Sequence, residues 1–179
     1  EMDITNFWFN KYDIIILSDY NKGVLNNQWF SKIKAKNIVV DPKKDNFSFY
    51  SNATIITPNL NELQKAANTE INNNDTLIKV CQSMIKNSNL EYILAKKGDK
   101  GISIVGRDGF VKHIDAYKVN DPDVTGAGDT VIAVFSLSLA KTNDVEKSAR
   151  IANAVAALVV EKKGTAFVTL DEFNSLKNF

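Results

Sequence analysis

Cysteine is almost missing from this chain. Cys81 is the only one among 179 residues, so no internal disulfide can form. It lies on the apolar face of an expected helix and reads as a core residue, which fits a reducing, cytoplasmic setting. Histidine also occurs once, at His113, and with no Cys/His cluster a structural zinc site has no support. An excess of either charge is lacking. Lys and Arg total 22 against 21 for Asp and Glu, which leaves +1, so neither nucleic acid nor a charged membrane is expected as the main partner. Apolar runs are too short and too interrupted to span a bilayer. Glu1-Met-Asp-Ile4 has no basic region followed by an apolar one, so no secretory signal is expected there. Three familiar motifs are missing as well. There is no Gly-x-x-x-x-Gly-Lys-Ser/Thr loop, no Gly-x-Gly-x-x-Gly after a first strand and no Gly-x-Ser-x-Gly elbow, which removes Walker-type NTPases, dinucleotide binders and elbow-type hydrolases.

What is present is a globular pattern: 44% of residues are hydrophobic, enough for one domain with a sizeable core. Ile14-Ile-Ile-Leu17, Ile38-Val-Val40, Thr54-Ile-Ile-Thr57 and Tyr92-Ile-Leu-Ala95 are short β-rich runs, the pattern of strands covered on both faces. Ile102–Val105 and Phe110–Ile114 flank Arg107-Asp-Gly109 and read as a hairpin. Between them, Gln28 to Lys36 reads as a helix with Trp29, Phe30 and Ile33 apolar. Leu77, Val80, Cys81, Met84 and Ile85 fall on one helical face. Two further helices are expected from Gly128 to Lys141 and from Val145 to Lys162. The second is rich in alanine and is stopped by Gly164. Thr169-Leu-Asp-Glu172 is a capping box that opens a last short helix. Alternating strands and helices predict an α/β fold, a mostly parallel sheet with helices on both faces. The polar loops at Asp19, Asp41, Asn59 and Gly98 all follow strand ends. They are expected along one edge of the sheet, where such folds bind ligands.

The stretch Asp123-Val-Thr-Gly-Ala-Gly-Asp-Thr130 organises the rest. Gly126, Ala127 and Gly128 have little or no side chain, so their amides can approach an anion at a helix start. Asp129 follows at once, placed to take a proton from a hydroxyl attacking a phosphoryl group. A plain capped helix start, with Thr125 as the cap and Asp129 favouring the dipole, explains the same letters. The other motifs carry the same two readings. Asn59-Leu-Asn-Glu62 is either a capping box or a phosphate and Mg²⁺ site in which Glu62 holds the ion through water. Lys22 and Lys43 are solvated surface lysines or phosphate partners. Gly98 and Gly101 shape a turn or let a nucleotide lie on the backbone. Asn153, the only polar residue between Ile151 and Val160, is a satisfied buried amide or a contact to a base or ribose.

Together these blocks resemble the ribokinase-like (PfkB) carbohydrate kinases. Asp123-Val-Thr-Gly-Ala-Gly-Asp129 resembles their C-terminal signature. Ser18-Asp-Tyr-Asn-Lys-Gly23, Asp41-Pro-Lys43, Thr57-Pro-Asn-Leu-Asn-Glu62, Ala152-Asn-Ala-Val-Ala-Ala157 and Lys163-Gly-Thr-Ala166 narrow the likeness to the heptose-phosphate kinases of lipopolysaccharide-core synthesis. The resemblance implies ATP-dependent phosphorylation of D-glycero-β-D-manno-heptose 7-phosphate at its anomeric oxygen. A kinase of another sugar or nucleoside, or a nucleotide-binding module without turnover, remains as an alternative. It assigns the catalytic base to Asp129 and the anion hole to the amides of Gly126, Ala127 and Gly128. Asn59 and Glu62 fall at the ATP phosphates and their Mg²⁺, Gly98 and Gly101 beside the nucleotide, and Asn153 near adenine. Lys22 and Lys43 face substrate phosphate, and Asp123 lies near a monovalent cation. Two departures accompany it. Lys96 stands where relatives often have Thr, and kinases of this kind are nearly twice as long. The chain is therefore expected to be the C-terminal, nucleotide-binding portion of one kinase domain over residues 1–179, without the N-terminal part and lid. Exposed strand edge should then make it self-associate or pair with such an N-terminal half.

Overall fold

The structure is a computed structural model of the chain, and it describes residues 11–26, 30–33, 35–51 and 53–176. Six strands form one sheet in the order β1-β2-β3-β4-β5-β6. They are β1 (Ile15–Ser18), β2 (Ile38–Asp41), β3 (Ile55–Ile56), β4 (Tyr92–Lys96), β5 (Ile102–Gly106) and β6 (Val111–Ile114). The pairs β1–β2, β2–β3 and β3–β4 are parallel, with Ser18 opposite Asp41 and Ile56 opposite Ile93. Parallel neighbours need crossovers, and the chain supplies helices for them. These are α1 (Leu60–Ala67) and α2 (Asn74–Ser88), followed after the sheet by α3 (Ala127–Thr142), α4 (Val145–Val160) and α5 (Leu170–Ser175). The expected mostly parallel α/β sheet is what forms.

The chain divides into two compact units. One comprises the described residues up to Ala95 together with Val105–Val111; the other comprises Lys96–Ile104 and the described residues from Lys112 on. In the first unit, β2 is buried along its whole length, because Val39 and Val40 are wholly enclosed. Leu63, Leu77, Cys81, Ile85 and Ile93 share its core with an aromatic group formed by Phe30, Phe47 and Tyr50. Burial pushes the Cys81 thiol up to about 12, so it stays protonated as a core group. β1 sits at the sheet edge, which leaves the expected exposed strand edge, but it is not covered on both faces: half-buried and exposed positions alternate, with Ile16 at 41% exposure. Its apolar run is that of a central strand, but no strand covers its outer edge among the described residues. The helix expected at Gln28–Lys36 lies partly outside the described residues, although Phe30 and Ile33 are buried as its apolar face requires.

In the second unit, α3 and α4 pack together. Ala149, Ala152 and Ala154 are buried in α4, and Val131, Ile132, Phe135 and Leu139 are buried in α3. The alanines permit close backbone approach. Asn143, left-handed at φ 53°, ends α3, and Asp144 caps α4 through the Lys147 amide. Gly164 is not the stop of α4. The helix ends at Val160 with Glu161 as its cap, and Gly164 turns the chain beyond it at φ 72°.

Candidate active site

In the first unit, the site residues stand on the loops after β1, β2 and β3. Asn59 caps α1 by accepting from the Glu62 amide at 2.9 Å, and Glu62 Oε2 accepts from the Asn59 amide at 2.8 Å. The capping box is therefore real. It does not exhaust Glu62, whose Oε1 is paired with the Lys43 ammonium. That bond raises the Lys43 pKa against the lowering effect of partial burial. Both carboxylate oxygens of Glu62 are therefore engaged, Oε1 by the Lys43 ammonium and Oε2 by the Asn59 amide. Lys22 is exposed on the post-β1 loop, where its neighbour Asn21 accepts from Lys44 Nζ at 2.8 Å.

Behind these groups lie two buried carboxylates. Asp19 is 3% and Asp41 8% exposed. Asp19 accepts from the Tyr50 hydroxyl at 2.6 Å and the Asn21 amide at 2.7 Å, and Asp41 faces the Thr57 hydroxyl at 3.3 Å. Tyr50 has no place in the sequence reading. Its signal was the run Phe47-Ser-Phe-Tyr50, which forms one 3₁₀ turn capped by Asn46.

In the second unit, Gly126 begins α3 at φ 76°, a conformation that favours glycine, and no side chain caps the helix. Thr125 is therefore not the cap that an ordinary helix start would use. Its amide instead donates to Asp123 Oδ1 at 3.0 Å. The Ala127 amide donates to the Val124 carbonyl at 3.1 Å, so it is engaged by the turn rather than turned outward. Thr130 is tied back to the Gly126 carbonyl through both its amide and its hydroxyl, at 2.9 and 3.0 Å. Asp129 projects from the first turn and is exposed. Lys96, at the end of β4, reaches the same place: a methyl added to Gly128 would lie 3.5 Å from its Nζ.

Asp123 accepts at its other oxygen from the Gly164 amide at 2.7 Å. These amides hold its carboxyl down at about 2. Asn153 is 7% exposed and donates to the Asp115 carbonyl at 2.8 Å, so its amide is satisfied in part by the backbone after β6. Gly101 is obligatory: a Cβ there would come within 2.1 Å of the Ile114 carbonyl oxygen. Gly98, at φ 63°, is exposed. His113, on β6, bonds the buried Ser103 hydroxyl at 2.7 Å, and burial lowers its pKa.

The first unit thus joins Lys43, Asn59 and Glu62, and the second joins Lys96 with the Gly126–Gly128 loop. A model of the pfkB family of carbohydrate kinases matches residues 10–172. The chain belongs to that family. A curated relative, the bifunctional protein HldE of Nitrobacter winogradskyi, is 39% identical over 166 residues, covering 89% of this chain and 34% of that protein. The chain thus spans about a third of the length of the curated relatives it matches. Among solved structures, the ribokinase of Arabidopsis thaliana complexed with ribose and ATP superposes with a TM-score of 0.83 at 20% identity, covering 96% of this chain and 57% of that one. The Thermotoga maritima ribokinase gives 0.81 at 22% identity, covering 95% and 58%. The pfkB chain therefore has the ribokinase-like fold. Among the described residues no helix is long and apolar enough to cross a membrane.

Proposed function

We propose that this chain is the nucleotide-handling, C-terminal portion of an ATP-dependent kinase domain that phosphorylates D-glycero-β-D-manno-heptose 7-phosphate at its anomeric oxygen. The observation that carries the kinase chemistry is the start of α3, where an acid follows glycines at a helix N-terminus that no side chain caps. The choice of sugar rests on the resemblance to heptose-phosphate kinases and on the 39% identity to an HldE protein.

In this reading the anomeric hydroxyl attacks the γ-phosphorus of ATP, the bond to the β-phosphate oxygen breaks, and ADP leaves. Asp129 takes the hydroxyl proton, for which its exposed position in the first turn suits it. The amides of the Gly126–Gly128 loop face the charge that grows on the transferred group, with the Ala127 amide joining only if its bond to Val124 opens. Asn59 and Glu62 hold the ATP phosphates and Mg²⁺, and Lys43 and Lys22 face phosphate. The metal, when bound, neutralises charge on the phosphate oxygens. Gly98 and Gly101 border the nucleotide, Asn153 lies near the base, and Asp123 stands near a monovalent cation.

A second reading is favoured by the fraction of the relatives that the chain spans: a nucleotide-binding portion that turns over sugar only with further sequence. Calorimetry with Mg·ATP, followed by ADP release with the heptose 7-phosphate, other sugars and nucleosides as acceptors, separates the two. Release fastest with the heptose phosphate supports the kinase reading. Binding without turnover on any acceptor supports the second. Preference for another acceptor overturns the heptose assignment.

A further inference from the structure

We propose that the Tyr50 hydroxyl is a positioning group that sets Lys43, and through Lys43 the carboxylate of Glu62. The inference rests on the reading of Glu62 and Lys43 as parts of a Mg·ATP site.

Tyr50 is 0% exposed, and its ring packs edge-on against Phe49 and Phe30, with centroids at 5.1 and 6.0 Å. The hydroxyl at the end of this fixed ring has one proton to give and two lone pairs to offer. All are used. It donates to Asp19 Oδ2 at 2.6 Å and accepts from the amides of Lys43 and Lys44, each at 3.2 Å. Burial and the Asp19 carboxylate raise its pKa, so the phenol stays protonated and the donor to Asp19 is permanent. Lys44 adds a second clip. Its Nζ donates to Asn21 and lies 4.5 Å from the centre of the Phe49 ring. The loops after β1 and β2 are thereby joined through one buried oxygen.

Lys43 is consequently anchored at its main chain by Tyr50, while Glu62 is anchored separately by the Asn59 capping box. Their ion pair joins two ends that are each held in place. Its side chains are 38% and 16% exposed, and an ion pair of that exposure adds on the order of 0–1 kcal/mol to stability. Fold stability is a weak reason for such anchoring. Keeping a cation beside the acid that meets phosphate and metal is a stronger one. Tyr50 touches no reacting atom in this scheme and acts through Lys43.

The test is a double-mutant cycle read by Mg·ATP binding in calorimetry. Tyr50→Phe keeps the ring and removes the hydroxyl. We expect it to weaken Mg·ATP about tenfold, the worth of a lost hydrogen bond carried to the site. Lys43→Met should weaken binding at least as much. The double variant should be no weaker than Lys43→Met alone, because Tyr50 acts through that side chain. Val105→Ala, a core change on β5, three strands away from β2 in the sheet, should lower the melting temperature and leave binding unchanged. Should Tyr50→Phe fail to fold, Asp19→Asn loosens the same hydroxyl with less disruption and should shift binding in the same direction. Unchanged binding in the Tyr50 or Asp19 variant, or losses that add in the double variant, would overturn the inference and leave the nucleotide reading standing. No Mg·ATP binding by the unsubstituted chain would overturn that reading itself, and this inference with it.

Discussion

The ammonium of Lys96 lies so near Gly128 that one added methyl group would touch it, at 3.5 Å. A cation and the positive end of α3 share one corner of the second unit, an arrangement that repels in isolation and attracts an anion. Gly128 lies within the helix, where alanine is the better helix former by roughly 0.5–1 kcal/mol. Gly128→Ala is therefore expected to leave melting temperature unchanged or slightly raised while weakening ATP use, since the methyl stands between amides and phosphate. A fall in stability with no change in ATP binding would show that the loop is a helix start and nothing more.

Asp129 is exposed, so its role is separable from folding. Asp129→Asn should lower kcat by roughly 10²–10⁴-fold, the usual worth of a positioned base, with Mg·ATP binding nearly intact. Single-turnover kinetics on an active form of the kinase, alongside calorimetry, checks this. Near-normal turnover would remove Asp129 from the chemistry.

Glu62 serves both as cap and as the partner of Lys43, and one substitution tells the duties apart. Gln at this position still offers an oxygen to the Asn59 amide but no charge to a metal. Glu62→Gln should raise the Mg²⁺ concentration needed for half-maximal ATP binding several-fold, with a loss of stability below about 1 kcal/mol. If stability fell sharply and the Mg²⁺ dependence did not move, the cap would be the whole of its role.

Asp123 has a pH signature. Its folded carboxyl is held down at about 2 by the Gly164 and Thr125 amides, below the ordinary 3.8. A depressed acid stabilises the fold fully above its unfolded pKa, and that contribution disappears as pH falls through the folded value. The difference in urea midpoint between the wild type and Asp123→Asn should hold steady above pH 5 and shrink between about pH 4 and 2. A difference independent of pH would mean that the carboxylate charge is not what the amides hold.

The edge strand β1 predicts association. Ile16 and Tyr20 are 41% and 61% exposed, on and just after a strand whose outer edge has no partner among the described residues. Light scattering on the purified chain should show more than a monomer, and Ile16→Lys should reduce it, as edge lysines do. A stable monomer would show that the edge is harmless.

Much of this was legible from the letters. Short β-rich apolar runs located the strands, a 3.6-residue period located α2, and the two capping boxes announced α1 and α5. Gly-Ala-Gly-Asp pointed to the start of α3. What stayed hidden depends on partners distant in sequence. β1 reads as a strand covered on both faces, because its letters report apolarity and not what covers each face. Tyr50 drew no reading at all, because its bond to Asp19 spans 31 residues. Glu62 showed its cap, a local contact, but not Lys43, which approaches from another loop.

The path of the chain also bears on its synthesis. Val105 belongs to the core of the first unit, yet Lys96–Ile104, which precede it, belong to the second. On a ribosome, the earlier unit cannot close its core until part of the later one has already emerged. The boundary between the units is therefore not a single point along the chain, as it is for consecutive independent domains. A nascent chain halted before Val105 should remain open to protease and to chaperones, and release should follow once the hairpin strand has been made.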